Sequence, residues 1–209
     1  MTSINDRAVT IQIVGVGGQG ALTVTKAIGA AAISKDMPVV MSEIHGMSQR
    51  GGVVQTTIRL GEVSSPLPFA SDNSIMVAFE PMEAYRARDI ITSETIVVVN
   101  RDPIRPVSVS SGGQKYPDVD EIVSEIGRFA RKVYSLSAMD LAVKAGDPRV
   151  TNIVLLGAMA ACGVIPFTIP ELETAIRASV PTKAVDTNLR AFSLGLESVL
   201  GRSCEQKRK

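Results

Sequence analysis

Thiol is almost missing from this chain. Of its 209 residues only two are cysteine, Cys162 and Cys204, far apart. Two cysteines cannot build a disulfide framework, nor supply the four thiolates of an iron–sulfur cluster. A reducing cytoplasm is the expected compartment. Cys162, inside an apolar helical run, is expected to be a small core residue, while Cys204 falls in the tail. Histidine is just as scarce. His45 is the only one, so a metal held there would have no second histidine and no nearby cysteine. Neither sign of charge is in excess: 22 Lys and Arg stand against 21 Asp and Glu, a net charge of +1. No global field exists to hold nucleic acid or an anionic membrane, so neither is expected as a partner. Long apolar runs are also lacking. The richest, Ile153 to Ile165, is too short to cross a bilayer and reads as a buried helix. No signal-peptide pattern is visible, because Asp6 and Arg7 precede the first apolar strand. No internal repeat or low-complexity tract is found.

What is present suits one α/β domain. The hydrophobic fraction of 45% and charged fraction of 21% are ordinary for a globular chain, and the length suffices for a real core. Val9 to Val14 reads as a buried strand ending in glycines, and Ala21 to Ser34 as a helix set against a sheet. Strands are expected at Pro38 to Ile44, Val53 to Leu60, Ser74 to Phe79, Thr95 to Asn100 and Lys132 to Leu136. Arg101 to Pro117, rich in Pro, Ser and Gly, is expected to hold at most a short edge strand, at Val107 to Ser110. Ser64-Ser65-Pro66-Leu67-Pro68 is a surface loop, since two prolines remove backbone donors. Pro81 opens a helix reaching about Ile90, and Asp118 opens another that buries Ile122 and Ile126. Ser137 is expected to cap a helix that Gly146 closes. Val150 to Cys162, Ile169 to Ala178 and Ala184 to Leu200 complete the list. In the last, Val185, Leu189, Phe192, Leu196 and Val199 form a stripe at helical spacing. The expected fold is a three-layer α/β sandwich around a mostly parallel, mixed sheet, with a helical C-terminal third. A single domain over 1–201 and a basic tail at 202–209, ending Lys207-Arg208-Lys209, are expected.

Two glycine-rich segments follow strands. In the first, Gly15, Gly17 and Gly20 have the spacing of a dinucleotide-binding turn, with Gly18 and Gln19 between them. Glu43, at the end of the second strand, stands where such a site keeps its acid. Against this reading, the chain then enters another glycine loop and another strand, where a dinucleotide fold would enter a helix. Gln19 also places an amide with donors and acceptors at the tip. Three alternatives stay open: a dinucleotide site, a loop reading a partner or a phosphate, and a tight turn that binds nothing.

The second segment is the sharper signal. Glu43, His45, Gly46, Met47, Gln49, Arg50, Gly51 and Gly52 put an acid, the sole histidine and an arginine on a permissive backbone. The Arg50 guanidinium, followed by two glycines, suits a carboxylate or phosphate, or an ion pair with Glu43 or another acid. One reading of His45 is that it bonds its own loop, and one of Met47 that it fills an apolar gap.

Together, GVGGQG over 15–20 and EIHGMSQRGG over 43–52 resemble the gamma-type domain of the 2-oxoacid:ferredoxin oxidoreductases. The middle words resemble the small subunit of the indolepyruvate branch. Further matching words are Ile58-Arg59 with Gly61, Ser65-Pro66-Leu67, and Phe79-Glu80-Pro81-Met82-Glu83-Ala84. Val97-Val98-Val99-Asn100, Asn152 with Leu156-Gly157-Ala158, and Asn188 with Ala191-Phe192 follow, so nearly the whole chain is covered. Pro68 departs from the pattern, which expects an apolar residue there. The resemblance implies a complex that decarboxylates a 2-oxoacid on thiamine diphosphate and magnesium. Electrons pass through 4Fe-4S clusters to ferredoxin, and an acyl-coenzyme A is released. The substrate is an aryl pyruvate by this branch, pyruvate or another 2-oxoacid by its neighbours. This chain carries no Gly-Asp-Gly…Asn-Asn stretch for magnesium and diphosphate, and Gly146-Asp147-Pro148 reads as a helix-end turn. The cofactors are therefore expected in a large alpha subunit, with no cofactor bound and no catalytic residue supplied by this chain alone. The two glycine segments would face that partner or the coenzyme A path. Isolated, the chain is expected to be able to form a homo-oligomer.

Overall fold

The computed structural model describes residues 8–46, 52–63, 65–69, 72–104 and 115–201, and the backbone of 202–206. Met47, Gln49, Arg50, Gly51, the expected edge strand Val107 to Ser110 and Lys207 to Lys209 lie outside the described residues.

Six strands form one sheet in the order β2-β3-β1-β4-β5-β6. They are β1 (Val9–Val16), β2 (Val39–His45), β3 (Val53–Leu60), β4 (Asn73–Ala78), β5 (Ile96–Asn100) and β6 (Lys132–Leu136). Only a few residues separate β2 from β3, so the two must pair antiparallel, Val39 opposite Leu60 and His45 opposite Val54. β3 then lies against β1, also antiparallel, with Val9 opposite Leu60 and Val16 opposite Val53. β1, β4, β5 and β6 run parallel. The sheet is mixed, as expected.

Helices cover both faces. Ile11, Ile13, Ile58, Ile75, Val77 and Val98 point to the layer of α1 (Ala21–Ser34), α4 (Ala138–Ala145), α5 (Thr151–Ala161), α6 (Ile169–Ser179) and α7 (Val185–Gln206). Val14, Met76, Ala78, Val97 and Val99 point the other way, to α2 (Pro81–Arg86) and to Ile122 and Ile126 of α3 (Val119–Gly127). The result is the three-layer sandwich. α2 is shorter than the sequence suggests: it ends at Arg86, and a 3-10 turn takes Arg88–Ile90. α7 is longer, continuing through 202–206, where the tail was expected.

The C-terminal third is held by backbone contact. α5 is buried from Asn152 through Met159. A Cβ on Gly157 would sit 2.0 Å from the Phe192 carbonyl oxygen, and one on Gly195 1.9 Å from that of Val154. No side chain fits between α5 and α7 there. The deepest face of α7 is consequently Asn188, Ala191, Phe192, Gly195 and Val199, while Leu189 and Leu196 are only partly buried. The apolar stripe read from the sequence is rotated toward the glycine, because a close helix crossing selects small residues over large ones.

Candidate functional site

The C-terminal ends of β1, β4 and β5 meet at one edge of the sheet, where open α/β folds place their ligands. The first glycine segment occupies this edge. Gly18 and Gly20 have φ of +96° and +82°, conformations glycine takes without a Cβ penalty. Gly15 is crowded: a Cβ there would lie 2.6 Å from Gln19 Oε1 and 2.9 Å from Phe79 Cβ.

Gln19 explains the crowding. Its Oε1 accepts the Val16 N–H at 2.8 Å, and its Nε2 donates to the Phe79 carbonyl at 2.8 Å. The amide offered by the sequence to a partner or ligand is thus turned inward, where it ties β1 to β4. Asn100, ending β5, donates to the same Phe79 carbonyl at 3.0 Å and accepts the Ala138 N–H at 3.1 Å. Asn152, at the start of α5, donates to the Gly20 carbonyl at 3.1 Å. Three amides therefore lock the edge from three elements, and a locked edge is a preorganised one.

Acids sit behind it. Glu80 is 1% exposed. It accepts from the Glu83 N–H, the Tyr116 hydroxyl and the Ile104 N–H, so one carboxylate caps α2 and pins the segment after β5. Burial raises the Glu83 carboxyl above its ordinary pKa. Arg86, 2.6 Å away, opposes the rise, and Glu80 adds to it. Burial, then the Glu80 contact, pushes the Tyr116 phenol upward. Asp102 accepts the Ser137 hydroxyl at 2.8 Å and the Met139 N–H at 2.7 Å. Ser137 occupies the N-cap position of α4 but makes no side-chain capping bond. The expected cap is thus replaced by Asn100 and Asp102, because the crossover from β5 brings their acceptors to the free N–H groups.

The second segment begins and ends on the β2–β3 hairpin. The Gly46 N–H donates to Val53 O at 2.7 Å, and the Gly17 N–H donates to Gly52 O at 2.9 Å. That last bond fastens the two glycine segments together. Glu43 and His45 lie on β2 itself, with His45 Nε2 3.4 Å from Glu43 Oε2. His45 therefore meets the acid two residues before it. β3 stands between β2 and β1, so Glu43 is in register with Ile13 only across another strand. Two strand spacings are roughly 10 Å. The dinucleotide reading fails on this geometry: its acid is one strand too far away, and Gln19 fills the turn.

Asn100 and Asn152 are the site residues that motif spacing alone misses. The available signal is their place in the family-like words Val97-Val98-Val99-Asn100 and Asn152 with Leu156-Gly157-Ala158. Among the described residues no group of three His, Cys, Asp or Glu is placed to hold a metal, and no helix is long and apolar enough to cross a membrane.

Residues 10–198 match the family model for pyruvate ferredoxin/flavodoxin oxidoreductase. The chain is 40% identical over 193 residues to the indolepyruvate oxidoreductase subunit IorB of Archaeoglobus fulgidus, covering 92% of this chain and 96% of that one. It is 42% identical over 185 residues to the subunit of the same name from Methanothermobacter thermautotrophicus, covering 88% and 94%. Among solved structures, the keto/oxoacid ferredoxin oxidoreductase gamma subunit of Geobacter sulfurreducens aligns with a TM-score of 0.65 at 24% identity. That alignment covers 92% of this chain and 99% of the other.

Proposed function

The chain belongs to the pyruvate ferredoxin/flavodoxin oxidoreductase family, and on that premise we propose that it is the small subunit of an indolepyruvate:ferredoxin oxidoreductase. Its partner is a large alpha subunit carrying thiamine diphosphate, magnesium and 4Fe-4S clusters. Aryl pyruvate is decarboxylated there, with an acyl-coenzyme A as product and ferredoxin as the acceptor. The two archaeal relatives at 40% and 42% identity support the substrate branch.

The cofactors do not fit this chain. Its two cysteines cannot hold a four-thiolate cluster. Its only Gly-Asp pair, Gly146-Asp147, is a helix end: Gly146 has φ of +110°, and Asp147 caps the next turn while pairing with Arg149. No chemical step is assigned to residues of this chain. Its contribution is a rigid wall in which the 15–20 segment is bonded to Gly52 and braced by Gln19, Asn100 and Asn152. The Gly17–Gly52 bond supports the proposal most directly, because it ties the first glycine segment to the last residue of the second. Arg50 supplies a cation for a coenzyme A phosphate or a carboxylate across the interface.

Hydrogen exchange of the chain alone and in the reconstituted complex tests the docking. Gly15 to Gly20 and Gly46 to Gly52 should exchange more slowly in the complex, and equal rates reject it. Arg50→Ala should raise the apparent coenzyme A requirement or weaken subunit association about tenfold, the worth of a charge-assisted bond. Wild-type values for both reject that role. Tightly held flavin or nicotinamide on the purified chain would overturn the whole reading.

A further inference from the structure

We propose that the loop 65–69 is an apolar anchor for the large subunit, presented beside α2 and α3 on the face of the antiparallel half of the sheet. The inference rests on the docking reading above and adds where that partner lands. On this side of the sheet the helices pack against Val14, Met76, Ala78, Val97 and Val99, and none of the residues in that apolar cluster comes from β2 or β3. Side chains alternate along a strand, and Met41 and Glu43 face α1. Val40 and Ile44 of β2 therefore lie on the opposite face, with their cross-strand partners Arg59 and Gln55 of β3.

Arg59 fixes the loop over this face. It is 9% exposed. Its Nη1 donates to the Ser65 carbonyl at 2.9 Å and to the Leu67 carbonyl at 3.5 Å, and its Nη2 donates to Asp72 Oδ2 at 2.9 Å. The same carboxylate oxygen accepts the Phe69 N–H at 3.2 Å, and the Asp72 N–H donates back to the Phe69 carbonyl at 3.0 Å. The Ser65 hydroxyl accepts the Leu67 N–H at 3.2 Å, and Pro66 and Pro68 set φ on either side of Leu67. Withdrawing a guanidinium from water is costly, and here it holds a short surface loop in one shape. That shape turns Leu67 and Phe69 outward, 64% and 80% exposed. A backbone fixed in advance loses little entropy on binding, and large apolar side chains carried on it suit the core of an interface.

Continuity with the glycine segments selects the large subunit as the occupant. Ile44, 56% exposed, stands two residues before Gly46 on the same strand, so this face begins where the second segment begins. From Ile44 to Val40, opposite Arg59, is roughly 13 Å along the strand. A standard interface takes about 800 Å² of each partner, a footprint roughly 30 Å across. A body seated on the glycine segments therefore extends over the loop. The edge itself gives that body little apolar surface to bury: Gln19 is turned inward, and the residues beside it are mostly glycine. Leu67 and Phe69 add what the edge lacks, and the matching surface of the large subunit is an apolar hollow. Ile33, 71% exposed, lies on the other face of the sheet, at the end of α1 away from Gly20.

Two measurements with the full chain and the purified large subunit test it. Leu67→Ser with Phe69→Ser should weaken association about a hundredfold, as the loss of two buried apolar side chains implies, with the urea midpoint of the chain kept. Ile33→Ser should leave association unchanged. In a Cys162→Ala, Cys204→Ala background, a polarity-sensitive dye on Phe69→Cys should shift to the blue when the large subunit is added. Wild-type association by the double variant, or a dye that does not shift, overturns the proposal. Glycine segments still protected from exchange in that complex would leave the docking reading standing. A dye already shifted in the chain alone, with a dimer in sedimentation velocity, overturns the proposal in favour of a second copy. A wild-type chain that forms no complex at all rejects the docking reading, and the anchor with it.

Discussion

The two halves of the sheet differ in how completely they are buried. In the parallel half, β1, β4 and β5 are buried on both faces, and amides from Gln19, Asn100 and Asn152 close their ends. In the antiparallel half, β2 keeps Met41 and Ile44 exposed; among the described residues the Ser42 and Thr56 hydroxyls are buried without hydrogen-bond partners, as is that of Thr10 on β1. The difference between the halves is therefore one of burial: exposed apolar side chains at β2 suit a contact with protein surface. The parallel half supplies stability, and the open half and the glycine edge supply contacts.

The comparison is sharpened most by striking the closed half. Gly157→Ala drives a methyl into the Phe192 carbonyl, and the displacement of α7 should cost about 3 kcal/mol or more in urea unfolding. Gly201→Ala, with nothing within 4 Å, should be neutral or slightly stabilising. Equal effects would show that the α5–α7 crossing is not close. Next in size is Gln19→Leu, which strands the Val16 N–H and adds no acceptor. It should cost about 2 kcal/mol and speed hydrogen exchange at Val16. Unchanged exchange would break the claim that Gln19 braces the turn.

The smallest effect is a pH dependence. The Glu83 carboxyl is raised by burial, with the neighbouring Glu80 adding to the rise. A raised carboxyl contributes stability that is fully present below its unfolded value, ordinarily 4.5, and is lost as pH rises through the folded value. Glu83→Gln should therefore gain on the wild type as pH climbs from that point, with the Arg86 contact kept by the amide. A gap that is constant with pH would mean that Glu83 titrates as it does in the unfolded chain.

Much of the fold was legible because it depends on local pattern. Lys132 to Leu136 reads as a strand from its residues and is one. Asp118 opens its helix by accepting from Asp120 and Glu121, as its place before an apolar period implies. The capping of α4 was not legible, since Ser137 has the right residue type, and the acceptors that do the work come from Asn100 and Asp102, more than thirty positions away. Nor was the turn of α7: the stripe through Leu189 and Leu196 is the better hydrophobic period, yet Gly195 sets the buried face because two backbones touch there. Of the site, both glycine segments were visible as motifs. Their bond through Gly17 and Gly52 was not, and neither was the inward turn of Gln19.

Sequence alone determined the alternation of strands and helices, the family pattern of the two glycine segments, and the lack of thiols to hold a cluster. Each of these depends on residue type and short spacing. Tertiary structure decided that β3 lies between β2 and β1, that Gln19 bonds the backbone at Val16 and Phe79, and that β2 ends the sheet among the described residues. Those outcomes follow from pairings between distant segments, which compete through total packing and hydrogen bonding and leave no mark in a local window.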